Sequence, residues 1–176
     1  INPQEAQSLL AEIQHQIIQD AQTGITHSIG IISPFSAQAE YIATLIEQKI
    51  PQTDVIKHSI RAATPFGFQG EERDIMLISF AIDNDSKRAA AYLNKADVFN
   101  VTITRARQKQ LIYLSIDDSL LPEHNLLRQY VTSITTFNAK HSMTTEIDTF
   151  QQEIIEVLAR YKVDTWAGYT IAGTEI

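Results

Sequence analysis

The sequence has 176 residues and a formal net charge of −7, with 44% hydrophobic and 20% charged residues. This composition excludes a disordered chain, and this length predicts one core with little to spare, so we expect one domain plus a fragment. The absence of cysteine excludes disulfides, thiolate nucleophiles and cysteine-rich zinc sites, and it favours a cytoplasmic protein. No apolar run is long enough to cross a bilayer, so we expect no membrane partner.

The ends of the chain and its charge distribution add two expectations. Residue 1 is Ile1 rather than Met, and no signal peptide follows it, so we expect an excised piece of a longer polypeptide or a processed product. Residues 55–110 hold nine Lys or Arg against six Asp or Glu, whereas the rest of the chain is acidic. The negative net charge argues against a protein that coats nucleic acid with its whole surface, and it leaves a basic central stretch.

The first elements follow from capping residues and apolar periodicity. Asn2, Pro3 and Glu5 suit the N-cap, N1 and N3 positions of a helix that we expect to reach about Asp20 and to stop at Gly24. The apolar run 28–33 predicts a buried strand of parallel type. A second helix, capped by Ser36, is expected to end at Pro51. Its apolar stripe consists of Tyr41, Ile42, Leu45 and Ile46.

Further strands and helices are expected downstream. Residues 54–58 predict a weak strand, residues 74–81 the strongest strand of the chain, and residues 110–116 another strand. Between the last two we expect short helical turns, and after residue 116 a helix over about 124–133. The residues expected to point inward from the short turns are Tyr92, Leu93, Val98 and Val101.

Alternating strands and helices predict an α/β fold with a mainly parallel sheet flanked by helices. We expect this domain to cover residues 1–135 and a Ser/Thr-rich linker to cover residues 136–149. Residues 150–176 would then begin a small α+β extension, with a helix from Phe150 to Leu158 and two strand-like pieces between Val163 and Ile176.

Several common catalytic motifs are absent from the sequence. There is no phosphate-binding GxxxxGKS/T loop and no GxSxG nucleophile elbow. The five histidines lack the spacing of metal ligands, so we expect surface or capping histidines and no metal site in this chain. Nothing in the sequence indicates a self-sufficient active site.

Two polar stretches carry the candidate chemistry. Residues 64–79 form a glycine-containing charged loop that runs directly into the strongest predicted strand, and residues 100–107 end in two arginines just before another strand. Gly67 and Gly70 would permit close backbone approach, and Arg105 and Arg107 carry forked donors that match phosphate oxygens. Because loops at strand ends of open α/β sheets bind ligands, we expect both stretches to share one site.

Three stretches resemble motifs of the second motor lobe of superfamily-one DNA and RNA helicases. Residues 29–38 resemble motif IV (GVITPYxxQ), residues 68–74 motif V (FQGxExD) and residues 100–107 motif VI (NVAxTRAR). The resemblance is closest to the branch that contains the RNA-surveillance and Okazaki-processing helicases. It implies a RecA-like lobe of the P-loop NTPase type that lacks its own P-loop.

The resemblance also implies a role for individual residues around ATP. Arg105 would be the arginine finger that reaches the γ-phosphate, while ATP and Mg²⁺ would be bound mainly by a first lobe of the same polypeptide. The Gly70 amide would face the phosphates, and Glu72 would accept a hydrogen bond from a ribose hydroxyl. Phe35 and Gln38 would line the nucleotide, with Phe35 packing on the base.

A second partner implied by the resemblance is single-stranded nucleic acid, whose phosphate backbone Thr64 and nearby Arg61 would contact. Residues 150–176 resemble the opening of a restriction-endonuclease-like nuclease domain, and this tail favours DNA over RNA. The expected function is therefore the C-terminal motor lobe of an ATP-dependent DNA helicase or translocase, inactive as an ATPase by itself. A non-catalytic nucleic-acid or protein interaction module and the auxiliary lobe of a helicase-nuclease are the alternatives.

Structural roles compete with functional ones at the neighbouring residues. Arg107 is expected to be ion-paired on the surface, because two residues along a helix it would point away from Arg105. Glu71 and Asp74 are expected to cap or ion-pair around the loop. Phe66 and Phe68 suit either the core or a ligand contact, and the sequence leaves that choice open.

Overall fold

The computed structural model describes residues 1–84, 89, 91–142, 170–171 and 174–175, with side chains up to residue 136. Residues 1–131 and residues 132–176 form two separate compact units. The first unit contains a four-stranded sheet with the order β2-β1-β3-β4, in which every neighbouring pair is parallel. Its strands are β1 (Ile29–Ile32), β2 (Arg61–Ala63), β3 (Arg73–Asp83) and β4 (Ala106–Ser115).

Helices cover both faces of this sheet, which confirms the α/β class. They are α1 (Pro3–Thr23), α2 (Ser36–Lys49), α3 (Gln52–Lys57), α4 (Ala96–Ile103) and α5 (Leu126–Ser142). Single 3-10 turns lie at Phe66–Phe68, Tyr92–Asn94 and Asp118–Leu120. None of the helices in the described part of the chain is long and apolar enough to cross a membrane.

Alternation along β3 separates two apolar clusters. Ile75 and Leu77 pack with α1 and α2 side chains such as Leu9 and Ile42, whereas Ile78 and Phe80 pack against Phe99 of α4 and other residues of the opposite layer. The strand is buried from Ile75 to Phe80, as its continuous apolar sequence predicts. The buried strand predicted around β1 is also confirmed.

The expected start and stop of α1 are confirmed. The Asn2 side chain accepts a hydrogen bond of 3.1 Å from the Glu5 N–H, and Pro3 is the first helical residue. Gly24 ends the helix with a φ of 72°, a left-handed conformation that favours glycine. The second cap was predicted wrongly. Phe35 is the N-cap of α2 and Ser36 is its first helical residue, because the Phe35 carbonyl accepts the first helical hydrogen bonds, from the Gln38 and Ala39 N–H groups (3.1 and 3.0 Å).

The predicted strand at residues 54–58 is wrong, because these residues belong to helix α3 and its end. The carbonyl oxygen of Pro51 accepts hydrogen bonds from the N–H groups of Asp54 and Val55, which closes a single helical turn. With only six residues, α3 is too short for a helical period to appear in the sequence. The actual strand is β2, three residues later, and Gly30 pairs with its first residue, Arg61.

The region between β3 and the second unit was predicted in outline. Leu93 and Val98 are buried and Tyr92 and Val101 are half-buried, so the inward side of the short turns is largely confirmed. Strand β4 begins at Ala106 rather than at residue 110, and α5 continues to Ser142 rather than to about residue 133. The Asn125 side chain accepts from the Leu127 N–H at the start of α5 (3.0 Å).

In the second unit, β5 (Thr170–Ile171) and β6 (Thr174–Glu175) pair antiparallel, within the stretch expected to hold two strand-like pieces. The helix expected from Phe150 to Leu158 lies outside the described residues, as does the expected linker beyond Ser142. The domain boundaries at 135 and 149 remain predictions.

Candidate functional site

The two polar stretches lie side by side, as expected. The backbone N–H of Arg73 donates a hydrogen bond of 3.1 Å to the carbonyl oxygen of Arg105. Arg73 and Ala106 are register partners at the start of β3 and β4. Glu72 Oε2 lies 3.5 Å from Arg107 Nε. The motif V and motif VI stretches therefore form one continuous surface.

This surface lies at the amino ends of β3 and β4, whereas open α/β sheets commonly bind ligands outside the carboxyl ends of their strands. The connection between β2 and β3 explains the placement. It leaves the carboxyl end of β2 at Thr64, crosses one face of the sheet and returns to the amino end of β3 at Arg73. Arg73 also contacts the turn that precedes β2, because its Nε donates to the Ser59 carbonyl (3.2 Å).

A buried phenylalanine anchors this crossing connection. Phe68 is fully buried and packs with Ile32 and Met76, and its N–H donates to the carbonyl oxygen of Thr64 (3.2 Å). Gly67 permits the close approach, since a Cβ there would lie 2.9 Å from the Cβ of Ala63. Of the two aromatic residues left open by the sequence, Phe68 therefore belongs to the core. Phe66 is instead 60% exposed.

Glu71 joins two arginines on the outer side of the connection. Its carboxylate accepts hydrogen bonds from Arg61 Nη1 and from Arg73 Nη2, the latter at 2.8 Å. Both bonds lower the pKa of Glu71, and the bond from Arg61 has the larger effect. Both guanidinium groups also lie over the Phe68 ring, 5.4 and 5.6 Å from its centroid. The expected ion-paired role of Glu71 is confirmed, and Arg61 already has one anionic partner.

Asp74 and Arg107 are also engaged in structural contacts. Asp74 Oδ2 accepts from the Ser28 side chain (2.7 Å) and backbone N–H (2.8 Å), and these two bonds lower the pKa of the carboxyl. Arg107 Nη1 lies 3.6 Å from Asp74 Oδ1, in addition to its contact with Glu72. Arg107 is therefore a surface ion-paired residue, as expected. The helical argument was wrong, however, because Arg107 lies in strand β4.

Arg105 has an unsatisfied donor. Its Nη2 donates to Thr104 Oγ1 (2.8 Å), but its Nε is buried and has no hydrogen-bond partner among the described residues. Buried polar atoms without partners are rare, and a guanidinium Nε–H suits an anionic acceptor. Gly70, in the adjacent loop, has a φ of 79° and no atom within 4 Å of the position that a Cβ would take. The exposed Gly70 loop and the unsatisfied Arg105 donor therefore lie at the same end of the sheet.

Phe35 and Gln38 lie elsewhere, beyond the carboxyl end of β1. The Gln38 side chain is buried and accepts from the Asn2 N–H (2.7 Å), while its Nε2 donates to the Asn2 carbonyl (3.0 Å) and to Ser79 Oγ (3.1 Å). The Phe35 ring is half-buried, and its centroid lies 5.9 Å from that of Tyr92. Both residues line an open surface pocket of about 280 Å³.

The predicted site residues thus fall into two groups. At the amino ends the structure brings together the motif V loop, with Gly70 and Glu72, and Arg105. Arg61 joins this group through Glu71, and Thr64 begins the crossing connection. Phe35 and Gln38 form a separate group near the carboxyl ends.

A buried carboxylate near the second group was not recognised from the sequence. Glu5 is 4% exposed, and it accepts hydrogen bonds from the Ser79 hydroxyl (2.6 Å), the Ala81 N–H (2.9 Å) and the Ser115 hydroxyl (2.7 Å). Its position in the first turn of α1 indicated only a helix cap. Nothing local shows that the ends of β3 and β4 turn their donors toward it.

Two histidines contact a buried carboxylate that the sequence did not indicate. Asp20 is buried and binds His27 Nδ1 at 2.8 Å, while Nδ1 of fully buried His58 lies 3.3 Å from the same carboxylate. His58 is therefore the C-cap residue of α3, as the capping expectation allows, and its side chain is also part of the core. Among the residues that the structure describes, no group of three or more His, Asp or Glu side chains could hold a metal ion.

Comparison of the sequence with known proteins identifies a family. Residues 1–115 match the family described as AAA domain. DNA polymerase alpha-associated DNA helicase A of Saccharomyces cerevisiae is 33% identical over 91 residues, which are 52% of this chain and 12% of that protein. DNA replication ATP-dependent helicase/nuclease JHS1 of Arabidopsis thaliana is 34% identical over 113 residues, 63% of this chain and 8% of that protein.

A third relative carries a name from RNA metabolism. Regulator of nonsense transcripts 1 homolog of Arabidopsis thaliana is 28% identical over 98 residues, which are 55% of this chain and 8% of that protein. Each match therefore covers only a small share of a much longer relative. The chain belongs to the AAA domain family, as a superfamily-one helicase domain of the branch that its three motifs indicate.

Proposed function

We propose that this chain is the second, C-terminal motor lobe of an ATP-dependent DNA helicase or translocase. The observation that carries the proposal is the hydrogen bond from the Arg73 N–H to the Arg105 carbonyl, since it joins the motif V loop to the motif VI arginine (3.1 Å). The first lobe of the same polypeptide would hold most of the nucleotide, and this lobe would close over it. By itself the lobe would not hydrolyse ATP.

ATP, held with Mg²⁺ mainly by the first lobe, supplies the phosphoanhydride bond whose cleavage drives the motor. The part of Arg105 in this scheme is electrostatic. Its planar guanidinium offers forked donors, and its buried Nε–H has no acceptor among the described residues. Directed at the terminal phosphate, these donors would stabilise the charge that develops during transfer, and an arginine in this role can raise turnover about 10³- to 10⁵-fold.

Glu72 and Gly70 would bind and orient the nucleotide. Glu72 is exposed, and its contact with Arg107 is long at 3.5 Å, so its carboxylate can turn to accept from a ribose hydroxyl at little cost. Gly70 is exposed, and no atom lies within 4 Å of the position that a Cβ would take. Its amide could therefore donate to a phosphate oxygen.

Phe35 and Gln38 would line the base side of the nucleotide. The pocket that they share is open and partly apolar, and the Phe35 ring offers a flat face beside it. The three hydrogen bonds of the Gln38 side chain to Asn2 and Ser79 suggest a contribution through pocket shape rather than through a direct bond to the base.

Thr64 and Arg61 would contact the backbone of single-stranded nucleic acid. Thr64 begins the crossing connection and Arg61 is the first residue of β2. The Arg61 side chain is 43% exposed although it is paired with Glu71. Closing and opening of the two lobes around ATP would alternate the grip on the strand. We propose DNA as the strand, in keeping with the DNA helicase names of two of the relatives.

The decisive experiment compares two arginines in the polypeptide that joins this chain to its first lobe. Arg105→Ala should lower nucleic-acid-stimulated ATP turnover by at least about 10³-fold and leave the affinity for ATP largely unchanged. Arg107→Ala is the matched control, because it removes an arginine two positions away that is already ion-paired, and it should retain most of the turnover.

Wild-type turnover in Arg105→Ala would reject the arginine-finger assignment. Strand binding that is insensitive to both Arg105 and Glu72 substitution, in a polypeptide without ATPase activity, would identify a non-catalytic interaction module instead.

A further inference from the structure

We infer that Phe66 is a base-stacking residue, which holds a nucleobase of the single strand against the motif V connection. This inference rests on the proposed function, because it requires that the lobe bind a strand. It adds a contact to the bases, whereas Thr64 and Arg61 would contact only the backbone.

The exposure of Phe66 is the first observation. Its side chain is 60% exposed, although the other phenylalanine of the same connection, Phe68, is fully buried. The other large apolar side chains that are exposed in the described part of the chain are aliphatic, so Phe66 alone among them carries a flat aromatic face. Stacking of a base on an exposed aromatic ring is a standard means of binding single strands without reading their sequence.

The rigidity of its backbone is the second observation. Phe66 lies in a 3-10 turn, and its carbonyl oxygen accepts a hydrogen bond of 3.3 Å from the Gln69 N–H. Pro65 before it is buried, and Phe68 after it is locked in the core. A ring on a fixed backbone loses little conformational entropy when a base packs on it. The turn therefore presents Phe66 as a preformed platform.

The neighbours of the turn supply the third observation. A Cβ at Gly67 would lie 3.8 Å from Thr64 Oγ1 and 4.0 Å from Arg61 Nη2, so both proposed backbone contacts flank the residue next to Phe66. Thr64 Oγ1 also accepts from the Gly67 N–H (3.4 Å). Hydroxyl and guanidinium groups around the turn that carries an exposed ring provide the combination that a nucleotide requires, with donors for its phosphate and a face for its base.

The test separates base contacts from backbone contacts. In the two-lobe polypeptide, binding of oligo(dT) is compared with binding of an abasic oligomer of the same length, which keeps the phosphates and lacks the bases. Phe66→Ala should weaken oligo(dT) binding by about 5- to 150-fold and leave the abasic oligomer unaffected. Phe66→Trp should retain oligo(dT) binding, because it keeps an aromatic face.

Ile56→Ala is the matched control, since Ile56 is a 69% exposed apolar residue on α3, and it should change neither affinity. As an independent readout, an oligomer that carries 5-iodouracil should cross-link under ultraviolet light to Phe66 in the wild-type protein. Phe66→Ala should lose that cross-link.

Other outcomes overturn the inference in different ways. Equal weakening of both oligomers by Phe66→Ala would show a structural or interlobe role for the ring, and no weakening of either would show that the ring does not contact the strand. In both cases, a wild-type protein that still binds oligo(dT) through Arg61 and Thr64 keeps the proposed function intact. A wild-type protein that binds no single strand at all would reject both the stacking role of Phe66 and the proposed function.

Discussion

The carboxylate of Glu5 accepts a hydrogen bond of 2.9 Å from the backbone N–H of Ala81. Ala81 has a φ of 51°, in the left-handed region that a residue with a Cβ adopts only at a cost. The bond therefore links the first turn of α1 to a strained position near the end of β3. Because Ala81 also lines the pocket of Phe35 and Gln38, this buried carboxylate supports the wall of that pocket.

Replacement of Glu5 should destabilise the first unit. Glu5→Ala leaves the Ser79 and Ser115 hydroxyls and the Ala81 N–H without their shared acceptor, and we expect a loss of about 3 kcal/mol in the free energy of unfolding. Glu5→Gln keeps one acceptor oxygen and should lose less. Urea denaturation of both variants measures the difference, provided that the m value is unchanged.

Glu12→Ala serves as the control for Glu5. Glu12 lies on the same helix, and its contact with Lys109 is a partly exposed ion pair of 3.3 Å. Glu12→Ala should lower the free energy of unfolding by less than about 1 kcal/mol. Equal losses for Glu5→Ala and Glu12→Ala would contradict the buried-network account.

Asp20 should make stability depend on acid pH. Burial by itself would raise the pKa of this carboxyl, but hydrogen bonds from the His27 backbone and ring and from Gln16 outweigh it and lower the pKa. A lowered folded-state pKa contributes stability above the unfolded-state pKa of about 3.9, and this contribution is lost as the pH falls through the folded-state value.

We therefore expect Asp20→Asn to be less stable than wild type at pH 7, by about 1–3 kcal/mol, with a difference that narrows below about pH 4. Chemical denaturation across pH 3–7 measures it, and exposed Glu123→Gln provides a control with the same change of carboxylate to amide. A difference that stays constant down to pH 3 would disprove the role of the lowered pKa.

Gly30 should tolerate no side chain without rearrangement of the core. A Cβ at this buried strand position would lie 2.4 Å from Met76 Sδ and 2.9 Å from Arg73 Cγ. Gly30→Ala should therefore lower the free energy of unfolding by about 1–3 kcal/mol, because the added methyl group overpacks the core. In a Met76→Ala background most of that extra cost should disappear, because the crowding atoms of Met76 are gone. Additive costs in the double mutant would show that Met76 is not the obstacle.

Removal of the Glu71 carboxylate should strengthen strand binding. Glu71 pairs with both Arg61 and Arg73, so Glu71→Gln leaves Arg61 free to contact a phosphate. One added contact to a single strand should steepen the slope of log K against log salt by about 0.7. Fluorescence anisotropy with oligo(dT) across a salt series measures the slope.

Exposed Glu40→Gln on α2 is the control for Glu71, because it makes the same change in net charge away from the connection. It should leave the slope unchanged. A Glu71→Gln slope equal to that of wild type would indicate that Arg61 does not reach the phosphates.

Elements with strong local signals were predictable. The helix start at Asn2 and Pro3, the stop at Gly24 and the continuous apolar run of β3 each depend on interactions within a few residues, so the sequence alone indicates them. Helix α3 was mistaken for a strand because its six residues are too few to show a helical period in the sequence. The position of Ser36 was misjudged because the sequence does not distinguish a serine at the N-cap from a serine at the first helical position.

Candidate site residues were predictable as motifs but not as an arrangement. The resemblance of three stretches to a helicase lobe identified Arg105 and Glu72 without a structure. It did not indicate that Arg107 continues β4 or that Phe68 is core while Phe66 is exposed. The difference between the two phenylalanines depends on which side of the crossing connection faces the sheet, and the position of Arg107 depends on where β4 begins to pair with β3.

The sequence by itself determined the parallel α/β class and the family of this domain, because apolar runs, caps and contiguous motifs are local properties of a chain. Only the tertiary structure decided where the motifs lie and which polar groups are buried. Residues 64–72 return to the amino ends of the strands, and Glu5 and Asp20 find their partners up to 110 residues away. Contacts over such separations arise from packing of whole elements, which no local pattern encodes.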